Sequence, residues 1–214
     1  MVFYYRGMSG PSAPLPFARA RTEAQRDERL TQLAAVTRDL LQRSRATALT
    51  LGDIAAASGL AKSGILRYVG SREALLLRVM YDEHLHWIDA LDRELPNRTA
   101  AAAVASTLAA RPVLCDLIAV SPVLLGRLGS DEQRVLASQA TDAQQRLGAA
   151  LQPSLPLSDD QLSALTAAIH AFTGTAWAWA TPESASTNPM VTDFESTLGR
   201  LVATFIAGLR AEAG

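Results

Sequence analysis

An all-α fold follows from three features of this sequence. Apolar residues make up 49% of the chain but aromatics only 6%, and alanine and leucine far outnumber valine and isoleucine, so helix-preferring side chains prevail over strand-preferring ones. Apolar positions recur at steps of three and four rather than alternating. Prolines or glycines sit between most of these periodic runs, where a helical chain must turn.

Residues 1–22, with Gly7, Gly10, Pro11, Pro14 and Pro16 among small and basic side chains, are expected to form an unstructured arm. The first periodic run, about Glu23 to Ser44, aligns Leu30, Leu33, Ala34, Thr37, Leu40 and Leu41 as a first helix. Thr50 followed by Asp53 reads as a capping box, which starts a short helix that Gly59 ends. A third short helix spans about 61–69 and breaks at Gly70. Ser71 is a good N-cap, and Glu73 suits the first turn of a long fourth helix whose buried stripe includes Leu75, Leu76, Val79, Trp87 and Leu91 before Pro96 stops it.

The remainder divides into runs near 98–110, from Pro112 to about Val120, after Pro122, over 131–151, over 159–180 and over 190–212, with a polar loop from Pro182 to Pro189. About nine helices are expected. They form an N-terminal three-helix unit (23–70) and a C-terminal helical bundle (71–214), joined by the long helix that begins at 71.

Charge is unevenly distributed. Residues 1–78 hold twelve Lys/Arg against six Asp/Glu, a balance of +6, whereas 79–214 hold eight against fifteen, a balance of −7. A basic front joined to an acidic remainder points to a polyanion as partner of the front. Cys115 is the only cysteine, so the chain has no internal disulfide and no cysteine-based zinc site. Before Arg6 and Gly7 only Val2 to Tyr5 are apolar, far too short for a signal-peptide core, and no later run approaches the ~20 apolar residues of a membrane span. A cytoplasmic protein away from membranes is expected.

The three N-terminal helices, with Gly59 in the turn between the second and third, have the order of a helix-turn-helix unit, whose second short helix enters the major groove of DNA. On a helical wheel Ser63, Gly64, Arg67 and Tyr68 share one face of that helix, and Ile65 and Val69 take the other. Lys62, the only lysine in the chain, stands at its N-terminus, where the helix dipole opposes a cation unless an anion such as a phosphate compensates.

The run Thr50, Leu51, Ile54, Ala55, Ser58, Gly59, Leu60, Ala61, Lys62, Gly64, Ile65, Leu66, Tyr68, Val69, Arg72 and Leu75 resembles the signature of the TetR family of transcriptional regulators, and the likeness extends over about residues 27–78. It departs from that signature at Ala61, where the family has a capping serine, at Leu66, where it has a phosphate-binding tyrosine, and at Arg72, where it has lysine. The resemblance implies a dimeric regulator, a repressor of a palindromic double-stranded operator, released by a small, partly apolar effector. Thr50, Lys62, Ser63, Gly64, Arg67, Tyr68, Ser71 and Arg72 are the expected DNA contacts.

Family C-terminal domains hold a pocket between helices, for which Trp87, Cys115, Asp116, His170, Phe172 and Trp177 are candidates. Asp82 and His86, four apart, have the spacing of half a metal site, but no third ligand accompanies them. His84 and His86 read as solvated or satisfied side chains. No metal and no cofactor are expected. In the run 159–180, Ala164, Ala167, Ala171, Gly174 and Ala178 make a small-residue stripe, and the last helix carries Phe194, Leu198, Leu201 and Phe205. These residues are expected to join two copies through a four-helix interface.

Two other readings remain open: a DNA-binding protein whose C-terminal domain only dimerises or binds protein, and a helical carrier or enzyme with a vestigial DNA-binding front. No nucleophile elbow, P-loop or zinc-helix motif supports an enzyme.

Overall fold

The computed structural model describes residues 16–181 and 191–212. Among them are nine α-helices and no strand. The helices are α1 (Pro16–Leu41), α2 (Leu51–Ser58), α3 (Lys62–Val69), α4 (Arg72–Glu94), α5 (Ala100–Ala109), α6 (Pro112–Leu125), α7 (Ser130–Leu151), α8 (Asp159–Ala180) and α9 (Phe194–Glu212). Helix α1 begins at Pro16, so residues 16–22 are helical rather than an unstructured arm; proline is at home in a first turn because its missing N–H has no partner there anyway. The rest of that arm and the polar loop 182–189 lie outside the described residues.

Local sequence sets the N-terminal head. The Thr50 hydroxyl accepts the Asp53 N–H (3.2 Å), and the Asp53 carboxylate accepts the Thr50 N–H (2.8 Å) and hydroxyl (2.6 Å). These bonds hold the Asp53 carboxyl below its ordinary range, the Thr50 side chain contributing most. Gly59 closes α2 at φ 69°, a left-handed conformation that glycine adopts without strain. Helix α3 starts at Ala61 with no side-chain cap, as the missing serine predicts. Ile54 and Ile65 meet Leu33, Ala34 and Leu75 in the head's core, which continues through Leu117 and Leu124 of α6 into the rest of the molecule.

Helix α6 corrects the sequence reading at one point. Pro122 was expected to separate two helices, yet α6 runs through it to Leu125. A proline leaves the carbonyl four residues back without a donor. Here the Ser121 hydroxyl donates to that carbonyl, Ile118 O, at 2.9 Å, so the interruption is compensated and the helix continues.

The second core surrounds the C-terminal half of α4. Trp87, fully buried, donates its indole N–H to Thr107 Oγ1 of α5 (2.9 Å), and Leu91, Val104, Leu114, Leu165, Ile169 and Leu198 close round it. Ser158 and Gln161 cap α8 reciprocally, and the Gln161 side chain also donates to Leu209 O near the end of α9 (2.7 Å). No single helix among the described residues is long and apolar enough to cross a membrane.

Candidate nucleic-acid interface and helical cavity

On α3, Ile65 is buried while Lys62, Ser63, Leu66 and Arg67 are exposed. The Arg67 guanidinium lies over the half-buried Tyr68 ring, its Cζ 5.5 Å from the ring centre, an arrangement that restrains both side chains. Lys62 reaches back across the start of α2: a methyl group built on Gly52 would stand 3.3 Å from its Nζ. Its charge also contributes, as the smallest cause, to holding the Asp53 carboxyl low. Part of the dipole penalty at the start of α3 is therefore met inside the head, and Lys62, an exposed residue, stands beside the N-termini of α2 and α3.

Gly64 is half-buried with nothing within 4 Å of its missing Cβ, so the backbone stands open to close approach at this point. Gln25, Arg26, Glu28, Arg29 and Gln32 of α1 join Arg67 and Tyr68 in lining a cleft of about 670 Å³, with three guanidinium groups against one carboxylate. In the sequence the two α1 arginines simply lie off the apolar stripe of the first helix. Only the packing of α1 beside α3 reveals that they extend the cationic face of α3.

The other expected contacts have hydrogen-bond partners within the chain. Arg72 donates from Nε to Leu49 O and from Nη2 to Ala46 O, both at 2.5 Å, and its Nη1 lies 3.2 Å from Glu73 Oε1. Its guanidinium thus satisfies carbonyls of the α1–α2 connection that have no helical partner. Ser71 accepts the Ala74 N–H as N-cap of α4 and donates to Glu132 Oε1 of α7 at 3.0 Å. The Thr50 hydroxyl is engaged by Asp53. Lys62, Ser63, Gly64, Arg67 and Tyr68 form the set on α3, and Thr50 is exposed as well.

Between α4, α7 and α8 lies a cavity of about 440 Å³, with Leu125 at the end of α6 on its rim. Its walls are mostly Leu, Met and Ala, with Tyr81, His84, Gln139, Gln144, Thr166 and His170 as the polar groups. The His84 and His170 rings stack, 4.6 Å apart and 9° from parallel. His84 is 2% exposed; burial, aided by the neighbouring imidazole, brings its pKa down to about 3, and burial lowers that of His170 as well. Both rings are neutral at physiological pH. His84 Nε2 and Gln139 Oε1 are buried with no hydrogen-bond partner.

Of the six residues expected at a ligand, only His170 lines this cavity. Trp87 is core, edge-on to His84 at 5.2 Å. Phe172 packs edge-on against Phe205, and Trp177 against Phe194, at the α8–α9 contact. Asp116 serves the head instead: its Oδ2 accepts the Ala46 N–H (2.7 Å) and its Oδ1 pairs with Arg45 Nε (2.8 Å). Cys115 is buried, its thiol donating to Leu108 O (3.3 Å), and burial, with the neighbouring Asp116 charge, pushes its pKa up to about 12. It should therefore resist a thiol-modifying disulfide reagent in native buffer and react fully in denaturant; stoichiometric labelling of the native protein would contradict this placement.

His84 was read as solvated or satisfied and is neither. It lies on the buried stripe of α4, three residues before Trp87, and that spacing was the available signal.

The small-residue stripe of α8 divides. Ala164, Ala167, Ala171 and Ala178 are exposed, so they do not pack inside the chain, but Ala167 and Ala171 also border the cavity and Gly174 lies against Ile118 and Ala119 of α6. On α9 Leu198 is fully buried, whereas Leu201 is 39% exposed. Leu201, Phe205 and Phe172 line a groove of about 800 Å³ along α8 and α9, and Trp179 on α8 is 45% exposed.

Residues 81–213, more than half of the chain, match the family model described as the tetracyclin repressor-like C-terminal domain. No curated protein matches the chain in sequence. Among solved structures, the TetR family transcriptional regulator PfmR from Thermus thermophilus is 16% identical with a TM-score of 0.51, over 83% of this chain and 98% of that one. A putative transcriptional regulator from Pseudomonas aeruginosa PAO1 is 16% identical with a TM-score of 0.53, over 87% and 92%. The TetR family repressor AlkX from Dietzia sp. strain DQ12-45-1b, implicated in biodegradation of n-alkanes, is 17% identical with a TM-score of 0.51, over 85% and 95%. These likenesses are of fold, and they agree with the helix-turn-helix head and the helical body described above. With the family model matched across that body, the chain belongs to the TetR family of transcriptional regulators.

Proposed function

We propose that this protein is a homodimeric repressor whose paired α3 helices read a palindromic double-stranded operator and let go when a small, partly apolar molecule fills the cavity between α4, α7 and α8. One observation carries the reading: two of the helices that wall the cavity, α4 and α7, also hold the head. Helix α4 lines the cavity with Leu77, Met80, Tyr81 and His84 and begins directly after the α3–α4 turn. Helix α7 lines the opposite wall and is bonded to that turn through Glu132 and Ser71. A molecule that shifts α4 against α7 therefore moves α3, and two heads set for successive major grooves lose their spacing. In this reading Lys62 serves the phosphates with Arg26 and Arg29, while Ser63 and Arg67 meet base edges. Transcription from a promoter carrying the operator tests the sign of regulation: the protein should lower it in a purified system, and a rise would make it an activator.

The dimer contact assigned here is the outer face of α8 and α9, with Trp179, Leu201 and Phe205 beside Ala164 and Ala178. Leu201→Glu should give a monomer in sedimentation experiments with helicity near that of the parent, because the side chain is exposed in one chain and buried only between two. It is a cleaner probe than Ala171, which also borders the cavity. A Leu201→Glu protein that stays dimeric would move the contact elsewhere.

A further inference from the structure

The polar groups of the cavity define what fits it more narrowly than size or apolarity do. No Asp, Glu, Lys or Arg side chain is among the lining residues, and both histidines are neutral. A charged ligand group buried there would lack a counter-charge and would forfeit its hydration without compensation. A purely hydrocarbon ligand fails for a different reason. It would leave His84 Nε2 and Gln139 Oε1, which are already buried without a partner, with their hydrogen bonds still unmade, whereas a ligand that bonds to either atom relieves that cost.

Gln139 Oε1 can only accept, so its partner must carry a hydrogen; a neutral imidazole nitrogen either donates or accepts, and a hydroxyl satisfies it in both cases. At the ~30 Å³ that a water molecule occupies in the liquid, the cavity has room for roughly fifteen non-hydrogen atoms. From these constraints we infer that the cavity takes an uncharged, mainly aliphatic molecule bearing a hydroxyl group, the hydroxyl donating to Gln139 Oε1 or meeting His84 Nε2. The inference rests on the cavity being the effector site of the proposed repressor, but it concerns what binds rather than what binding does.

Three flexible probes of similar length separate the possibilities: 1-decanol, its acceptor-only analogue 1-methoxynonane, and decanoate. Titrated calorimetrically into the purified full-length protein, 1-decanol should bind about tenfold or more tightly than either of the others. His84→Leu and Gln139→Leu each remove one polar partner. Gln139 is only half-buried on α7, which makes Gln139→Leu safe for folding even if His84→Leu disturbs the core. A fall in the preference for the alcohol over the ether in either variant supports the assignment. Equal or tighter binding of the ether or of decanoate, binding of none of the three, or an alcohol preference untouched by both substitutions overturns it. Operator release is measured separately. If 1-decanol binds with the expected dependence on Gln139 yet leaves DNA affinity unchanged, the ligand class stands and the effector role falls.

Discussion

Asp116→Ala is expected to lower stability by about 2–3 kcal/mol, seen as a fall of roughly 5–10 °C in the thermal midpoint of a chain this size. The loss originates at the connection between α1 and α2. There the buried Ala46 N–H is accepted by Asp116 Oδ2 at 2.7 Å, and the Ala46 and Leu49 carbonyls are satisfied by Arg72. The connection is thus pinned from two sides, by a carboxylate on α6 and by a guanidinium on α4. Truncating Asp116 leaves the Ala46 N–H buried without a partner, which accounts for most of the expected loss. The Arg45 pairing adds less because about a third of that side chain is exposed to solvent. Asp116→Asn should cost less than alanine, since it keeps an acceptor for the N–H. Midpoints equal to the parent's for Asp116→Ala would show that α6 does not hold the head.

Lys62→Ala should weaken binding to operator and to random duplex alike, and reduce the slope of log affinity against log salt by about one. A phosphate contact predicts this pair of effects because it carries no sequence information but does release a counterion. Arg67→Ala should differ in kind, costing about 1–3 kcal/mol on the operator and relaxing the preference at one base position. Its guanidinium, held over Tyr68, is presented in a restrained orientation suited to a base edge. Arg72→Ala belongs with neither, since its donors are already committed to the α1–α2 carbonyls, and it should act on stability first. A Lys62→Ala protein with unchanged affinity and salt slope would remove Lys62 from the interface.

What the sequence made legible was whatever depends on neighbours a few residues apart. The capping box at Thr50, the left-handed Gly59, the uncapped start of α3 at Ala61 and the N-cap at Ser71 are all local, and each appears as the residue pattern predicts. Pro122 misled because its usual effect was cancelled by one hydroxyl on the preceding residue, a detail no periodicity registers. The structural bonds of Arg72 were illegible for a longer-range reason: they are made to carbonyls twenty-three and twenty-six residues earlier in the chain.

The cavity was the least legible feature, being assembled from three helices whose facing residues lie far apart in the chain. Large aromatics drew attention as candidate lining, yet Trp87 fills the core and Phe172 faces α9. The cavity exists where side chains are small, at Ala140, Ala143, Ala167 and Ala171, and small residues carry little signal in a single sequence. The polar character of its wall depends on His84, which the same sequence presents as one more histidine in a charged helix.

The central claim is that two α3 helices, fixed relative to one another by the rest of the dimer, read half-sites in successive major grooves. It is tested most directly by fluorescence anisotropy on the palindromic duplex recovered by selection from a random pool, with the spacer between half-sites lengthened in steps up to about half a helical turn. The account predicts that affinity falls at least tenfold as the half-sites rotate away from each other and approaches that for random DNA at about five added base pairs, while the half-site sequences stay intact. Affinity that is indifferent to spacer length would mean that the heads bind independently, and would contradict it.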